Sequence, residues 1–183
     1  MSWLSQSPPE RIEIDDFVVE RANLQHAEAL ADAVNESLDH LRPWMDWAQE
    51  PVSGESYELM VPEWHSNWER RSDFQYIITR KQRVVGGIGV HDRIAPCALE
   101  IGYWLHPAAT GEGIITRTAE RLTAELFEFP EVVRLVIRCD KGNLASAAVP
   151  RRLGFQLIRE LDQAPVTPGN TGRYLEWELT LRR

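Results

Sequence analysis

The constraint that most limits what this chain can fold into is a strand, a glycine turn and an amphipathic helix in immediate succession. It is written in Leu99-Glu-Ile-Gly-Tyr-Trp-Leu105, followed six residues later by Gly111-Glu-Gly-Ile-Ile-Thr116. A turn of this kind leaves backbone N–H groups unpaired at the positive end of a helix dipole, where an anion, usually a phosphate, is favoured. One carboxylate on the strand beside one phosphate cradle suggests an enzyme that holds a phosphorylated cofactor next to a proton acceptor.

The rest of the chain bounds this expectation. Its 183 residues, 43% of them hydrophobic, suffice for one substantial core and one domain spanning 1–183, with residues 1–10 expected as a flexible, proline-bearing lead-in. No apolar run has the length of a membrane helix, and the first residues lack the basic-then-apolar order of an export signal. Cys97 and Cys139 have no metal-ligand spacing and form no disulfide framework, and the five histidines have neither i, i+4 pairing nor partner cysteines, so no metal is expected. These features fit a reduced cytoplasm, with no membrane partner. A net charge of −8 argues against binding a nucleic-acid backbone and is compatible with cationic partners such as amines.

Periodicity orders the elements. Ile12, Ile14 and Phe17-Val-Val19 suggest an opening strand, and Ala27, Ala31, Val34, Leu38 and Leu41 a helix over about 24–41, stopped at Arg42-Pro43. An aromatic connection, Trp44-Met-Asp-Trp47, leads to a second helix with Tyr57, Met60, Trp64 and Trp68 on one face, which Pro62 must kink or begin. From Phe74 the period becomes two. Strands are predicted over about 74–78, 83–91, 97–105, 132–139, 155–161 and 174–181, with turns at Lys81-Gln82 and Ile94-Ala-Pro96. Ile115, Ala119, Leu122 and Leu126 mark a helix after the glycine turn, and 143–153 a short helix closed by Gly154. The class is mixed α/β (α+β), about seven strands flanked by about four helices.

Five blocks along the second half carry a resemblance: Glu100-Ile-Gly-Tyr-Trp-Leu105, Gly111-Glu-Gly-Ile-Ile-Thr116, Val136-Ile-Arg-Cys139, Asn143-Leu-Ala-Ser146 and Arg152-Leu-Gly-Phe155. In this order and spacing the chain resembles the GNAT N-acetyltransferase superfamily, and within it the RimJ/RimL-like branch. The resemblance implies a splayed, mostly antiparallel sheet with acetyl-CoA held in the opening between the strands 97–105 and 132–139. The pantetheine arm would pair with the backbone around Tyr103, Trp104 and Leu105, and the pyrophosphate would sit on Gly111, Glu112, Gly113, Ile114, Ile115 and Thr116. Where the superfamily often has Gln or Arg three residues before the first glycine, this chain has Ala108, so the cradle would rest on backbone amides alone.

Acetyl transfer from a thioester to an amine needs a neutral amine, a stabilised oxyanion and a departing thiolate that finds a proton. The resemblance makes Glu100 the general base, acting directly or through a water. On its strand it faces away from Leu99 and Ile101 and can point into a cleft. Ser146 would hydrogen-bond the emerging thiolate, although a serine in the first turn of a helix also commonly satisfies the backbone. Asn143 suits an N-cap and by resemblance also bonds the pantetheine arm. Cys139 reads as a small buried hydrophobe, not a covalent nucleophile. The family's acidic residue near the amine aligns with Pro165, with Glu160 and Asp162 close by.

Acceptor choice should come from the first helices, their connection and the last hairpin. Trp44 and Trp47 can form a stacking platform or pack into the structure, whereas Trp64 and Trp68 read as core-facing. The expected activity is direct transfer from acetyl-CoA to a primary amine, on a ribosomal-protein N-terminus or on a small molecule such as an aminoacyl-nucleotide or antibiotic. The tryptophan connection tilts this towards the small molecule. A catalytically silent acyl-CoA-binding regulatory module is the alternative, and a homodimer is compatible with the sequence.

Overall fold

Two-residue alternation becomes a run of antiparallel strands wherever the intervening residues accept a tight turn. At Lys81-Gln82 both residues take positive φ, 49° and 63°, in a two-residue hairpin whose twist matches the strands it joins. The computed structural model describes residues 3–94 and 97–181. The turn expected at Ile94-Ala-Pro96 falls on Ala95 and Pro96, which lie outside the described residues.

The strands are β1 (Arg11–Ile14), β2 (Phe17–Arg21), β3 (Asp73–Arg80), β4 (Arg83–Ile94), β5 (Ala98–Leu105), β6 (Arg134–Asp140), β7 (Gln156–Asp162) and β8 (Arg173–Thr180). The helices are α1 (Ala27–Glu36), α2 (Leu38–Leu41), α3 (Gly54–Glu69), α4 (Ile114–Phe127) and α5 (Leu144–Arg152), with 3-10 turns at Leu24–His26 and Pro107–Ala109. One sheet runs in the order β1-β2-β3-β4-β5-β6-β8-β7. Every neighbouring pair is antiparallel except β5 and β6.

The class is as expected, and the element counts differ for local reasons. The single opening strand is a hairpin: Asp15 takes φ 48°, a conformation that a short polar side chain tolerates, and reverses the chain between β1 and β2. This makes eight strands instead of about seven. The single helix expected over 24–41 breaks at Ser37, whose buried hydroxyl donates to the Ala33 carbonyl at 2.6 Å, so side chain competes with backbone. This makes five helices instead of about four. Pro62 lies inside α3 instead of starting it, because Ser53 caps the helix earlier, its hydroxyl accepting from the Ser56 N–H at 3.2 Å. Ahead of β1, Leu4 is buried in the core and the Ser5 N–H donates to Glu131 at 3.0 Å.

Apolar residues divide between the two faces of the sheet. On one, Ile88, Val90, Leu99, Ile101, Leu135 and Ile137 meet Ile114, Ala119, Leu122 and Leu126 of α4. The other face carries Ile77 against Leu30, Val34, Leu41 and Tyr57 of the first three helices. Each such side chain contributes about 1.5–3 kcal/mol on burial, so the two layers together fix the sheet between them.

The parallel seam positions the site. β5 and β6 pair only at Ala98↔Arg134, Leu99↔Leu135 and Glu100↔Val136. Beyond Glu100, β5 stays with β4 through Leu105, while β6 stays with β8 through Asp140. The sheet therefore opens at Ile101, leaving the backbone edge of residues 101–105 facing a gap.

Candidate active site

Two clefts meet in that gap. One, of about 700 Å³, runs beside Tyr103, Trp104 and Leu105 to the turn Gly111, Glu112, Gly113 and the first residues of α4, Ile114, Ile115 and Thr116. The other, of about 560 Å³, is bordered by Trp44, Trp47, Tyr57, Trp64, His91, Arg93, Glu100 and Arg138. Trp44, Tyr103, Asn143 and Ser146 border both, so the two spaces join at the mouth of the splay.

The first cleft has the form of an anion and chain site. Gly111 and Gly113 take φ 80° and 74°, where a side chain is strained, and a Cβ at either would meet nothing within 4 Å. Their requirement is backbone conformation. Gly113 is the N-cap of α4 and offers no capping side chain, so the first-turn N–H groups face the cleft. Ion pairs hold the turn in place: Arg80 bridges Asp16 at 2.6 Å and Glu112 at 2.5 Å, and Arg117 pairs with Asp15. Glu112 is thus committed to Arg80. Arg117 and Arg152 border the same cleft, two cations that sequence reading did not assign to it, because only the fold brings Arg152 of α5 to the cleft that the turn before α4 lines.

At the junction, the Tyr103 hydroxyl donates to the Ser146 carbonyl at 3.0 Å, and the Ser146 hydroxyl lies 3.4 Å from it. Asn143 is the N-cap of α5, its Oδ1 accepting from the Ser146 N–H at 3.0 Å. Burial pushes the Tyr103 hydroxyl's pKa well above its ordinary value, so it stays protonated. Cys139 lies beside Ser146, and burial pushes its thiol up to about 11. A thiol so held is a poor nucleophile at neutral pH.

In the second cleft, Glu100 is 6% exposed and both its oxygens are engaged. Arg93 donates from Nε to Oε2 at 3.0 Å and from Nη2 to Oε1 at 2.7 Å, and Arg138 Nη1 stands 3.6 Å from Oε2. The charges continue across the sheet, with Arg138 donating to Glu176 at 2.7 Å and Arg159 donating to it at 2.8 Å. Asp140 accepts from the Gly142 N–H and from the Thr171 N–H and hydroxyl at 2.7–2.9 Å, which locks the end of β6 to the segment before β8. Glu160 is tied to Lys141 and Arg173, which hold its carboxyl below the usual range, and Asp162 pairs with Arg173. Neither borders the two clefts.

The aromatic residues separate. Trp68 is in the core at 5.1 Å from Phe74, whereas Trp64 borders the second cleft against Tyr57, whose hydroxyl burial pushes up to about 12. Trp47 is half exposed and meets Trp104 edge-on at 6.2 Å. His91 borders this cleft, its Nδ1 joined to Asp73 at 2.7 Å, and neither residue was singled out from sequence. The alternation Gly87, Gly89, His91, Arg93 could have placed His91 on one strand face, but its pairing with Asp73 needs the β3–β4 register. Among the described residues, no group of three or more His, Cys, Asp or Glu is disposed to hold a metal ion.

The chain is 33% identical over 132 residues to YdaF of Bacillus subtilis (strain 168), provisionally named a ribosomal N-acetyltransferase, covering 70% of this chain and 72% of that protein. It is 29% identical over 141 residues to the ribosomal-protein-serine acetyltransferase of Escherichia coli (strain K12), covering 76% and 78%. Its structure superposes on that of RimL, a ribosomal L7/L12 α-N-protein acetyltransferase in complex with coenzyme A, with a TM-score of 0.86 at 26% identity, covering 94% of this chain and 98% of that one. Residues 17–156 match the family model of the acetyltransferase (GNAT) domain, and with the splayed sheet and glycine turn this chain belongs to the GNAT acetyltransferases.

Proposed function

We propose that this protein transfers the acetyl group of acetyl-CoA to a primary amine, directly, within a ternary complex. The observation that carries the reading is the meeting of two clefts at Tyr103, Asn143 and Ser146. One has an uncapped helix N-terminus suited to a pyrophosphate, and beside it lies a free strand edge suited to the amides of a pantetheine arm. The other is a separate aromatic-walled space for an acceptor. RimL, at 26% identity, is a coenzyme A complex, which supports assigning the first cleft to that molecule.

In this reading the backbone of residues 111–116 takes the pyrophosphate, with Arg117 and Arg152 adding charge, while Tyr103–Leu105 and Asn143 hold the arm. Ser146 donates to the thiolate as the C–S bond breaks. Glu100 belongs to the acceptor side and can take a proton, directly or through a water, once Arg93 moves off its oxygens; Arg93 is more than half exposed. A covalent acetyl-cysteine route finds no support in Cys139, whose thiol burial keeps protonated.

The two curated relatives favour a ribosomal protein as acceptor, and RimL, an α-N-protein acetyltransferase, favours its α-amine. A second reading, a small amine bearing a flat ring, rests on Trp44 and Trp47 bordering the acceptor cleft. The test is release of free thiol from acetyl-CoA over a panel of ribosomal-protein N-terminal peptides, aminoacyl-nucleotide analogues, polyamines and aminoglycosides. Turnover with one class and not the others assigns the acceptor. Tight CoA binding with no acceptor-dependent release across the panel makes the protein an acyl-CoA-binding module instead.

A further inference from the structure

Among the titratable groups of the acceptor cleft, most are already committed. Glu100 has both oxygens on Arg93, Asp140 accepts three hydrogen bonds, and the Cys139 thiol and the Tyr103 hydroxyl are buried and protonated. His91 differs. Its Nδ1 lies 2.7 Å from Asp73 Oδ2, and Asp73 Oδ1 in turn accepts from the Gln75 side-chain amide at 2.9 Å. A carboxylate can only accept, so Nδ1 carries the ring proton and Nε2 of the neutral ring keeps a lone pair. Among the described residues Nε2 has no hydrogen-bond partner.

The sheet is also shaped around this ring. His91 pairs directly with Asp73 on β3 and with Glu100 on β5, and the next positions on the same face are Gly89 and Gly102. A Cβ at Gly89 would stand 2.6 Å from His91 Nε2, and one at Gly102 would stand 3.5 Å from it. The two glycines therefore let the imidazole lie flat along the cleft floor, with Nε2 directed away from Asp73. The ring is oriented by a carboxylate, that carboxylate is oriented by an amide, and the working atom is left free: the arrangement of a positioned general base.

We propose that His91, oriented by Asp73, is the residue that takes the proton from the acceptor amine. This rests on the N-acetyltransferase reading above and assigns to His91 the proton acceptance which that reading allowed to Glu100, whose two oxygens stay on Arg93. In the step, the ammonium gives a proton to Nε2, and the amine nitrogen attacks the thioester carbonyl carbon. Its second proton leaves as the C–N bond forms and the C–S bond breaks. One of the two protons ends on the CoA thiolate and the other goes to solvent, giving the amide and free CoA.

The experiment compares the wild-type protein with His91→Gln, His91→Ala, Asp73→Asn and Glu100→Gln, following thiol release with the best amine of the panel, and CoA affinity by calorimetry. His91→Gln is expected to lower kcat by roughly 100- to 1,000-fold, with acceptor KM and CoA Kd within about threefold, in the range typical of a lost general base. Asp73→Asn, which disturbs the tautomer while leaving the ring, is expected to lower kcat about tenfold or more. Imidazole added to His91→Ala, where the glycines leave an open slot, is expected to restore at least a tenth of the lost rate while leaving the wild type unaffected.

A kcat within twofold of wild type in His91→Gln, with Glu100→Gln inactive, overturns the proposal and leaves the transferase reading standing. Absence of acceptor-dependent thiol release in the wild type overturns the transferase reading and the assignment of His91 with it. Should His91→Ala fail to fold, the ¹⁵N shifts of the His91 ring in the wild-type protein decide the matter. A proton on Nδ1 with Nε2 bare supports the base, and the opposite tautomer overturns it.

Discussion

The Tyr103 hydroxyl reaches across the splay to donate to the Ser146 carbonyl at 3.0 Å, tying the free edge of β5 to the first turn of α5. The Ser146 hydroxyl is thereby brought to the junction of the two clefts, 3.4 Å from the tyrosine oxygen. Ser146→Ala keeps the cap, because Asn143 accepts from the backbone N–H of residue 146. It is expected to lower kcat about 10- to 100-fold with CoA affinity nearly unchanged, measured by thiol release and calorimetry. Tyr103→Phe removes the donor and leaves a carbonyl unpaired, and should cost about 1 kcal/mol of stability in urea unfolding.

Arg93→Ala should destabilise the fold by about 1–2 kcal/mol. The loss leaves the buried Glu100 with Arg138 alone, at 3.6 Å. The cost is held below that of a fully buried pair because Arg93 is more than half exposed and its charge is partly screened. A lower urea midpoint at unchanged slope is the expected observation.

Gly113→Ala tests the turn. There is room for the methyl group, so the cost comes from φ 74° alone, about 1–2 kcal/mol for an L-residue held in that region. Either the turn keeps its shape and the melting temperature falls, or it relaxes and the N–H cradle is lost. In the first case CoA affinity is expected to stay nearly unchanged, and in the second to drop by about tenfold or more, as read by calorimetry.

The two cysteines should alkylate in a fixed order. Cys97 is exposed, whereas burial pushes the Cys139 thiol up to about 11 from the 8.5 of a free cysteine. Burial penalises the thiolate, so raising the pH from 7 to 9 leaves Cys139 a thiol while the protein is folded. Iodoacetamide followed by peptide mass spectrometry should find Cys97 modified across this range and Cys139 modified only after denaturation. Equal labelling of both in the native protein would contradict this placement.

Trp47→Ala should act on acceptor binding and little else. The ring is half exposed and touches Trp104 edge-on, so its removal should cost under about 1 kcal/mol of stability. Acceptor KM should rise several-fold at constant kcat. An unchanged KM for the best substrate would take Trp47 out of the acceptor site.

Much of the first cleft was legible along the chain because it is built from contiguous residues. The turn 111–116, the strand before it and the cap at Asn143 each lie within a few residues of their own partners, and their physics is local: positive φ, orphan amides, a side-chain oxygen over the next turn. The second cleft was legible only in part. Glu100 could be aimed at a cleft by alternation, but its Arg93 clamp comes from the neighbouring strand β4, and Arg138 comes from a strand reached by the α4 crossover. Local competition explains the helix break at Ser37, where a hydroxyl 2.6 Å from the Ala33 carbonyl overrode an apolar pattern that reads straight through it.

Sequence alone therefore determined the mixed class, the order of strands and helices, and the glycine turn that opens α4, since periodicity, caps and turn conformations act between near neighbours. Only the tertiary structure decided that β5 and β6 part beyond Glu100, that Tyr103 and Ser146 meet across the gap, and that Asp73 orients His91 over two glycines. Those relations depend on strand register and on side chains 18 to 43 positions apart, distances at which no pattern along the chain records which groups will touch.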